Sequence, residues 1–349
     1  MNAQRPFAVY LDGCTMRVLY AVLLLAIAGC GRPVPDSAKP DKAVQDGVPR
    51  FEQRHRFQDP RGIWAAAFSL KGDLVAIGGE SGNVAVIGTS DGKPRFRLPA
   101  HSKGVHSIAF SLDGDWAATG GEDEFVNIWS MHDGSLGNRI PIPEGKIKTA
   151  LAFNPDGTLL AVGRSDGSVR VANVRTGETV REIRHAHDQI ADIAFSSDGL
   201  SLVVAAYVGR IGVWESTGRG DPTLEYNGVS GPACVGFNSR NSPVAMLRRT
   251  DGSVMVWRPD LESPVKNRFF SSSVLALRMS ADGKWFAAGL ADGTTRLESV
   301  LSGARGDLPM ENMRAGAVRL IAISFSGRHL LVAHQNGEAQ LYEQIMGDR

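Results

Sequence analysis

The chain has 349 residues, of which 43% are apolar, so it can bury a large core. Lys and Arg number 38 and Asp and Glu number 37, a balance that argues against a nucleic-acid-binding protein because such proteins carry a basic surface. The 40 glycines exceed the usual share of about 7%, which indicates many tight turns, and the three cysteines exclude a disulfide framework and a four-ligand zinc site.

The first element is an uninterrupted apolar run over residues 18–28, directly after Arg17. Eleven residues are too few to span a membrane comfortably, but they suit the apolar core of a secretory signal. The sequence that follows, Ile27-Ala28-Gly29-Cys30, resembles the lipobox of bacterial lipoproteins, in which the cysteine is acylated and the chain is cleaved before it. We therefore expect residues 1–29 to be a signal peptide, with Met16 as the true start, and Cys30 to carry the lipid. Secretion without lipid and an uncleaved membrane anchor are the alternatives.

Residues 30–50 are predicted to be a tether. Segment 31–49 contains four prolines and shows no apolar periodicity, so it favours an extended chain. Removal of residues 1–29 leaves basic and acidic residues in equal number, so acyl chains rather than charge would hold the mature protein at a membrane.

The remaining sequence repeats about every 42 residues, which is typical of repeat architectures. A six-residue motif recurs with variations. It consists of a small residue, then Phe, then Ser or Asn, then any residue, and finally Asp and Gly. Its aromatic or Met position falls at Phe68, Phe110, Phe153, Phe195, Phe237, Met279 and Phe325. A second register runs through Ile87, Trp129, Ala172, Trp214, Trp257, Glu298 and Tyr342.

Within each unit, apolar and polar residues alternate with a period of two, as in 125–129, which predicts half-buried strands. Asp-Gly pairs between the strands favour tight hairpins because both residues tolerate positive φ. Each unit is therefore predicted to be a four-stranded antiparallel meander.

The period, the hairpins and the Trp at the end of the third strand resemble the WD-repeat family of β-propellers over residues 51–349. The resemblance implies an all-β, seven-bladed propeller in which residues 51–57 supply the outer strand of the last blade and close the ring. In that family an Asp in the turn between the second and third strands lies six residues before the Trp. The matching positions are Asp123, Asp166, Asp251 and Asp292, whereas Ser81, Val208 and Asn336 depart from the pattern.

Catalytic groups are sparse in this sequence. The cluster of residues 122–124 is interpreted as a solvated turn, with Asp123 in the family's structural role. His185 and His187 could form a weak metal site, although a loop or repeat-head role is favoured, and Cys234 is expected to be a small buried residue. We find no phosphate-binding glycine loop and no nucleophile elbow. The sequence therefore predicts no enzymatic activity, no bound cofactor and no metal site.

Partner-binding residues are expected on the face that carries the links between blades and the turns between second and third strands. Exposed aromatic and arginine side chains are the types that anchor interfaces. The candidates are Trp64, His106, Phe125, Arg164, Tyr207, Arg210, Arg249 and Arg319.

We therefore predict a lipid-anchored, monomeric propeller that acts as a non-catalytic protein-interaction platform in the bacterial cell envelope. By analogy with lipoproteins, Gly31 after Cys30 favours the outer membrane, facing the periplasm. The expected partners are proteins and, through the anchor, the membrane, but not nucleic acid. The alternative is a propeller enzyme or small-ligand-binding protein, lactonase-like or quinoprotein-like, with its site in the central channel.

Overall fold

Seven four-stranded antiparallel sheets form the protein in a computed structural model. The structure describes residues 49–59, 61–142, 150–227, 233–237, 242–248, 253–259, 265–300, 302–308 and 316–345. In the described part of the chain, every regular element is a strand, so the predicted all-β class is confirmed. The predicted signal peptide, Cys30 and nearly all of the tether lie outside the described residues, as do Arg249 and Asp251.

The first three blades each follow chain order, from the inner to the outer strand. Blade 1 contains β2 (Ile63–Phe68), β3 (Leu74–Gly79), β4 (Val84–Gly88) and β5 (Pro94–Leu98). Blade 2 contains β6 (Val105–Phe110), β7 (Trp116–Gly121), β8 (Phe125–Ser130) and β9 (Leu136–Pro141). Blade 3 contains β10 (Ala150–Phe153), β11 (Leu159–Gly163), β12 (Ser168–Asn173) and β13 (Thr179–Arg184).

Blades 4 to 6 repeat the same order. Blade 4 contains β14 (Ile190–Phe195), β15 (Ser201–Ala206), β16 (Arg210–Glu215) and β17 (Leu224–Asn227). Blade 5 contains β18 (Ala233–Phe237), β19 (Pro243–Arg248), β20 (Val254–Trp257) and β21 (Val265–Arg268). Blade 6 contains β22 (Val274–Met279), β23 (Trp285–Leu290), β24 (Thr295–Ser299) and β25 (Arg305–Asp307).

Blade 7 joins the two ends of the propeller. Its first three strands are β26 (Val318–Ile323), β27 (His329–His334) and β28 (Glu338–Ile345), and its outer strand is β1 (Arg50–Gln58). β1 runs antiparallel to β28, from the Arg50–Ile345 pair to the Gln58–Glu338 pair. The predicted closure by the N-terminal strand is therefore confirmed, because β1 pairs with the edge of β28 that the other three strands of blade 7 leave free.

The hydrophobic core consists of clusters between neighbouring blades. Among the described residues there is one such cluster for each adjacent pair, and the cluster around Ile63, Val75, Leu331 and Ala333 joins blade 7 to blade 1. The alternating pattern of each strand therefore buries both faces of a blade against its neighbours, which explains why the strands tolerate so many Val, Ile and Ala residues.

The hairpin between the first and second strands shows why the repeated motif contains Ser and Gly. In blade 2 the Ser111 hydroxyl accepts a hydrogen bond from the amide of Trp116 at 2.9 Å, and Gly114 adopts a positive φ of 82°. In blade 7, Ser324 accepts the equivalent bond from the amide of His329, also at 2.9 Å. Phe325 is therefore a turn residue, 58% exposed, and its alignment with Phe68 is wrong. Ile323 ends the inner strand at that position.

The Trp position of the third strand is filled differently in blade 6, where it holds Glu298. This carboxylate is fully buried, 2.5 Å from Nε of Arg268 on blade 5 and 3.1 Å from Nε of Arg305. Burial raises the pKa of Glu298, although the two guanidinium groups oppose that shift. An ionic contact between blades thus replaces the packing of an indole ring.

Candidate functional site

The candidate site lies where the inner strands begin, on the upper face, which we define as the face that carries the links between blades and the turns between second and third strands. Five inner strands have a register shift at their second residue. A β-bulge re-aims the extra side chain out of the ladder. We call these five residues the mouth ring: Trp64, His106, Ala191, Leu275 and Arg319.

Three predicted partner-binding residues meet in this ring, and we call Trp64, His106 and Arg319 the mouth cluster. The rings of Trp64 and His106 are stacked, with centroids 5.0 Å apart and an interplanar angle of 18°. The guanidinium carbon of Arg319 lies 5.4 Å from the centroid of the Trp64 ring, within the range of a cation–π contact. Blades 1, 2 and 7 therefore build one continuous surface.

Trp64 lies against the backbone of the link into blade 2. A Cβ atom on Gly104 would come within 2.3 Å of the indole ring, so only glycine permits this close approach. The side chain is half-buried rather than enclosed in a core cluster. One part of the ring is therefore fixed by packing while the remainder is accessible on the upper face.

His106 is oriented by a carboxylate. Its Nε2 lies 2.7 Å from Oε1 of Glu122, and the amide of Glu122 donates to the carbonyl oxygen of Gly104. Arg319 is exposed, and no carboxylate of the described residues lies within 4.0 Å of it. The mouth cluster thus offers an aromatic surface beside an unpaired cation.

Tyr207 belongs to a neighbouring part of the upper face. It lies in the turn between β15 and β16 and lines a cavity of about 170 Å³ together with Arg319. Burial raises the pKa of its phenol, with smaller opposing effects from the charges of Arg248 and Arg278, which line the same cavity. Sequence reasoning missed both of these arginines.

The remaining described candidates lie in or next to turns between second and third strands, and they contact outer strands instead. The guanidinium carbon of Arg139 lies 3.5 Å from the centroid of the Phe125 ring. Arg164 lies 3.4 Å from Glu182, and Arg210 lies 2.5 Å from Glu225. These three candidates are engaged within their own blades and do not join the mouth cluster.

The predicted turn aspartates have a structural role in the described blades. Oδ1 of Asp166 accepts hydrogen bonds from the amide and hydroxyl of Ser168, at 2.9 and 2.6 Å. Asp292 accepts the same pair from Thr294, at 2.9 and 2.8 Å. Burial tends to raise the pKa of Asp166, but the two bonds from Ser168 outweigh it and hold the pKa below its ordinary value. Both carboxylates close a turn.

Asp123 instead anchors a buried network in blade 2. Its Oδ1 lies 2.7 Å from Nδ1 of His101, and its Oδ2 accepts from the amide of Ser102. Nε2 of His101 lies 2.9 Å from the Thr119 hydroxyl, which also accepts from Nε1 of Trp129 at 3.0 Å. Burial favours a raised pKa for Asp123, but the bonds from His101 and Ser102 lower it overall.

The cluster of residues 122–124 does not form a carboxylate pair. Glu122 contacts His106, Asp123 contacts His101, and Glu124 is exposed with a positive φ of 67°. His185 is buried, with Nε2 3.1 Å from the carbonyl oxygen of Arg210 and its ring edge-on to Trp214. Within the described ranges, no three His, Cys, Asp or Glu residues could hold a metal ion.

Cys234 is 3% exposed, as expected for a small buried residue, and burial raises the pKa of its thiol to about 12. A thiol in this state is not a nucleophile at neutral pH. In the portion of the chain that the structure covers, no helix is both long and apolar enough to cross a membrane.

Two family models match parts of the chain. Residues 141–198 match the anaphase-promoting complex subunit 4 WD40 domain, and residues 92–130 and 265–297 match the WD domain, G-beta repeat. Together with the fold, these matches support a WD-repeat family.

Curated relatives are distant and cover parts of the ring. Telomerase protein component 1 of Mus musculus is 24% identical over 241 residues, which are 57% of this chain and 9% of that protein. SEC12-like protein 2 of Arabidopsis thaliana is 26% identical over 211 residues, 54% of this chain and 52% of that protein. Guanine nucleotide-exchange factor SEC12 of Rattus norvegicus is 39% identical over 69 residues, 20% of this chain and 16% of that protein. The chain thus spans about half or less of each relative, and its propeller fold suggests a protein-interaction scaffold.

Proposed function

We propose that the protein is a lipid-anchored, non-catalytic platform that binds protein partners through the mouth cluster in the bacterial cell envelope. The observation that carries this proposal is the convergence of Trp64, His106 and Arg319 from three blades on the upper face. Aromatic and arginine side chains contribute most of the energy of typical interfaces. An indole ring with an adjacent unpaired guanidinium suits a partner that presents an apolar group next to a carboxylate.

β1 begins on the side of the propeller that lies opposite the upper face, and we call this side the lower face. Gln58 ends β1 at the upper face, because the amide of Asp59 donates to the carbonyl oxygen of Gly337 in the turn before β28. Arg50 lies at the other end of the strand, roughly 26 Å away at 3.3 Å per residue. β1 therefore begins at the lower face, on the side opposite the mouth cluster.

The anchor is tested with the Cys30→Ser variant in cells fed a labelled fatty acid. We expect the wild-type protein to carry the label and to sediment with membranes, whereas the variant loses the label and becomes soluble. A variant that stays in the membrane fraction, combined with an unlabelled wild-type protein, would refute lipidation.

The platform is tested by crosslinking and co-purification from membranes with Trp64→Ala and Arg319→Ala. Each change should cost about 2 kcal/mol or more of binding energy and remove the main partner from the crosslinked set. Phe125→Ala serves as the matched control, because it removes an aromatic ring of the same face whose contact is with Arg139. Partner sets that are identical in all three variants, with unchanged melting temperatures, would refute the mouth cluster as the contact surface.

The arginine-lined cavity favours a second candidate function, the binding of a small ligand. The name of the rat relative describes a guanine nucleotide-exchange factor, but that match covers 69 residues, a fifth of this chain. Our proposal for this chain is therefore binding without catalysis.

A further inference from the structure

Three arginines from three blades line one cavity beside the mouth cluster. Arg248 ends β19 in blade 5, Arg278 lies in β22 of blade 6, and Arg319 lies in β26 of blade 7. Tyr207 of blade 4 completes the polar lining of a volume of about 170 Å³. The arrangement concentrates positive charge in a concave site bounded by low-dielectric strands, where charges interact more strongly than in water.

Arg248 replaces a small residue of the repeat. It pairs with Val254 across the second and third strands of blade 5. The residues at the same position in the other blades are all Gly or Ala: Gly78, Gly120, Gly163, Ala205, Gly289 and Ala333. The fold itself therefore does not need a long side chain at this position.

Arg278 is a second replacement of the same kind. It pairs with Ala287 across the first and second strands of blade 6. Blade 5 carries Cys234 at the equivalent position, and the other five blades carry alanine: Ala67, Ala109, Ala152, Ala194 and Ala322. Two independent departures from a small-residue consensus thus place guanidinium groups in the same cavity.

Among the described residues, the cations of the site outnumber the anions. Oδ2 of Asp192 lies 3.8 Å from Nη1 of Arg278 and accepts a hydrogen bond from the amide of Val235 at 3.0 Å. Nη1 of Arg248 donates to the carbonyl oxygen of Val274 at 2.8 Å, and no carboxylate of the described residues pairs with its guanidinium group. Arg319 also lacks a carboxylate partner in the described part of the chain. Three described cations thus lie near two described anions, because the charges of Asp188 and Asp192 both act on Tyr207 in the same cavity.

We propose that this cavity binds a small oxyanion, a phosphate or a short carboxylate compound, through Arg248, Arg278, Arg319 and the hydroxyl of Tyr207. Guanidinium groups recognise both kinds of anion with paired N–H donors. The volume selects a small ligand, because drug-sized ligands and cofactors occupy about 300–1,000 Å³. This inference rests on the second candidate function and names its ligand class, and it does not depend on partner binding by Trp64.

The test is calorimetric titration of the full-length protein in detergent at low ionic strength. The probes are inorganic phosphate and succinate, with sodium chloride at matched ionic strength as the control for screening. We expect saturable binding of one probe and not of chloride. Phosphate binding alone would indicate a phosphate ligand, and succinate binding alone a carboxylate ligand.

Two variants restore residues that other blades already carry at these positions, Arg248→Ala and Arg278→Ala. Each removes hydrogen bonds to a charged ligand and should weaken binding about tenfold or more. Arg95→Ala is the matched control, because Arg95 pairs with Asp91 on the outer strand of blade 1. Trp64→Ala should lose the protein partner and keep the anion, which separates this proposal from the platform.

Arg278→Ala leaves Asp192 without its ion pair. Arg248→Ala leaves no carboxylate of the described residues without a partner and therefore provides a second, independent measurement. A wild-type protein that binds neither phosphate nor succinate saturably would overturn the proposal. Unchanged affinity in Arg248→Ala, with an unchanged melting temperature, would also overturn it.

Discussion

Replacement of Phe51 by alanine tests the closure of the ring at a single side chain. Phe51 is 4% exposed, and its ring centroid lies 5.9 Å from that of Trp285. Because Phe51 belongs to blade 7 and Trp285 to blade 6, this contact joins the closing strand to the next blade. Truncation of a buried Phe to Ala costs about 3–5 kcal/mol, which includes the lost transfer energy and the cavity left behind.

The free energy of unfolding is measured by urea titration, followed by circular dichroism. At a slope of about 3 kcal/mol per molar urea, this loss lowers the midpoint by roughly 1 M or more. Arg54→Ala is the control on the same strand: Arg54 is exposed, its ion pair with Glu343 spans 2.9 Å, and its loss should cost less than about 1 kcal/mol. Equal midpoints for the two variants would show that β1 does not pack against blade 6.

Two further predictions concern histidines that are buried or half-buried. His101→Ala should destabilise the protein by about 2–3 kcal/mol in the same urea assay, because it removes one hydrogen bond each from Asp123 and Thr119 inside the protein. Replacement of the exposed His132 by alanine should have little effect, and equal losses in the two variants would refute a structural role for the network. Burial is the main cause that lowers the pKa values of His185 and His329. Below the ordinary pKa of histidine, the unfolded chain therefore binds more protons at these two residues than the folded protein does. The stability of the protein should be greatest above about pH 6.5 and should fall as the pH drops below that value. In the double variant His185→Gln/His329→Gln, the melting temperature should therefore vary less with pH between about 7.5 and 5.5 than in wild type. A slope equal to that of wild type would contradict this assignment.

The ring and its closure could be predicted from the sequence because they depend on local patterns repeated many times. Two copies of the repeat were misaligned, with Phe325 in place of Ile323 and Phe237 in place of Val235, and neither error changed the predicted fold. The stacking of Trp64 on His106 could not be predicted, because a register shift in each strand sets the direction of both side chains.

The arginine cavity was missed for a different reason. Its residues come from four blades, so no local motif connects them. A signal was nevertheless present: Arg278 stands in the small-residue position that precedes the aromatic residue of the repeated motif, and Arg248 occupies a glycine or alanine position. In a repeat protein, the residues that break the consensus are better candidates for function than those that keep it, because the consensus serves the fold.

The pairing of β1 with β28 also has a mechanical consequence. A pull applied at Arg50 against a partner held at the upper face acts roughly along the axis of β1, because Arg50 lies at the lower end of the strand and Gln58 at the upper end. The pairs from Arg50–Ile345 to Gln58–Glu338 would then be loaded in shear and would share the tension, instead of peeling apart one after another. The closing strand is therefore oriented to resist a pull from its own N-terminus, and rupture under force would open the ring between blades 7 and 1.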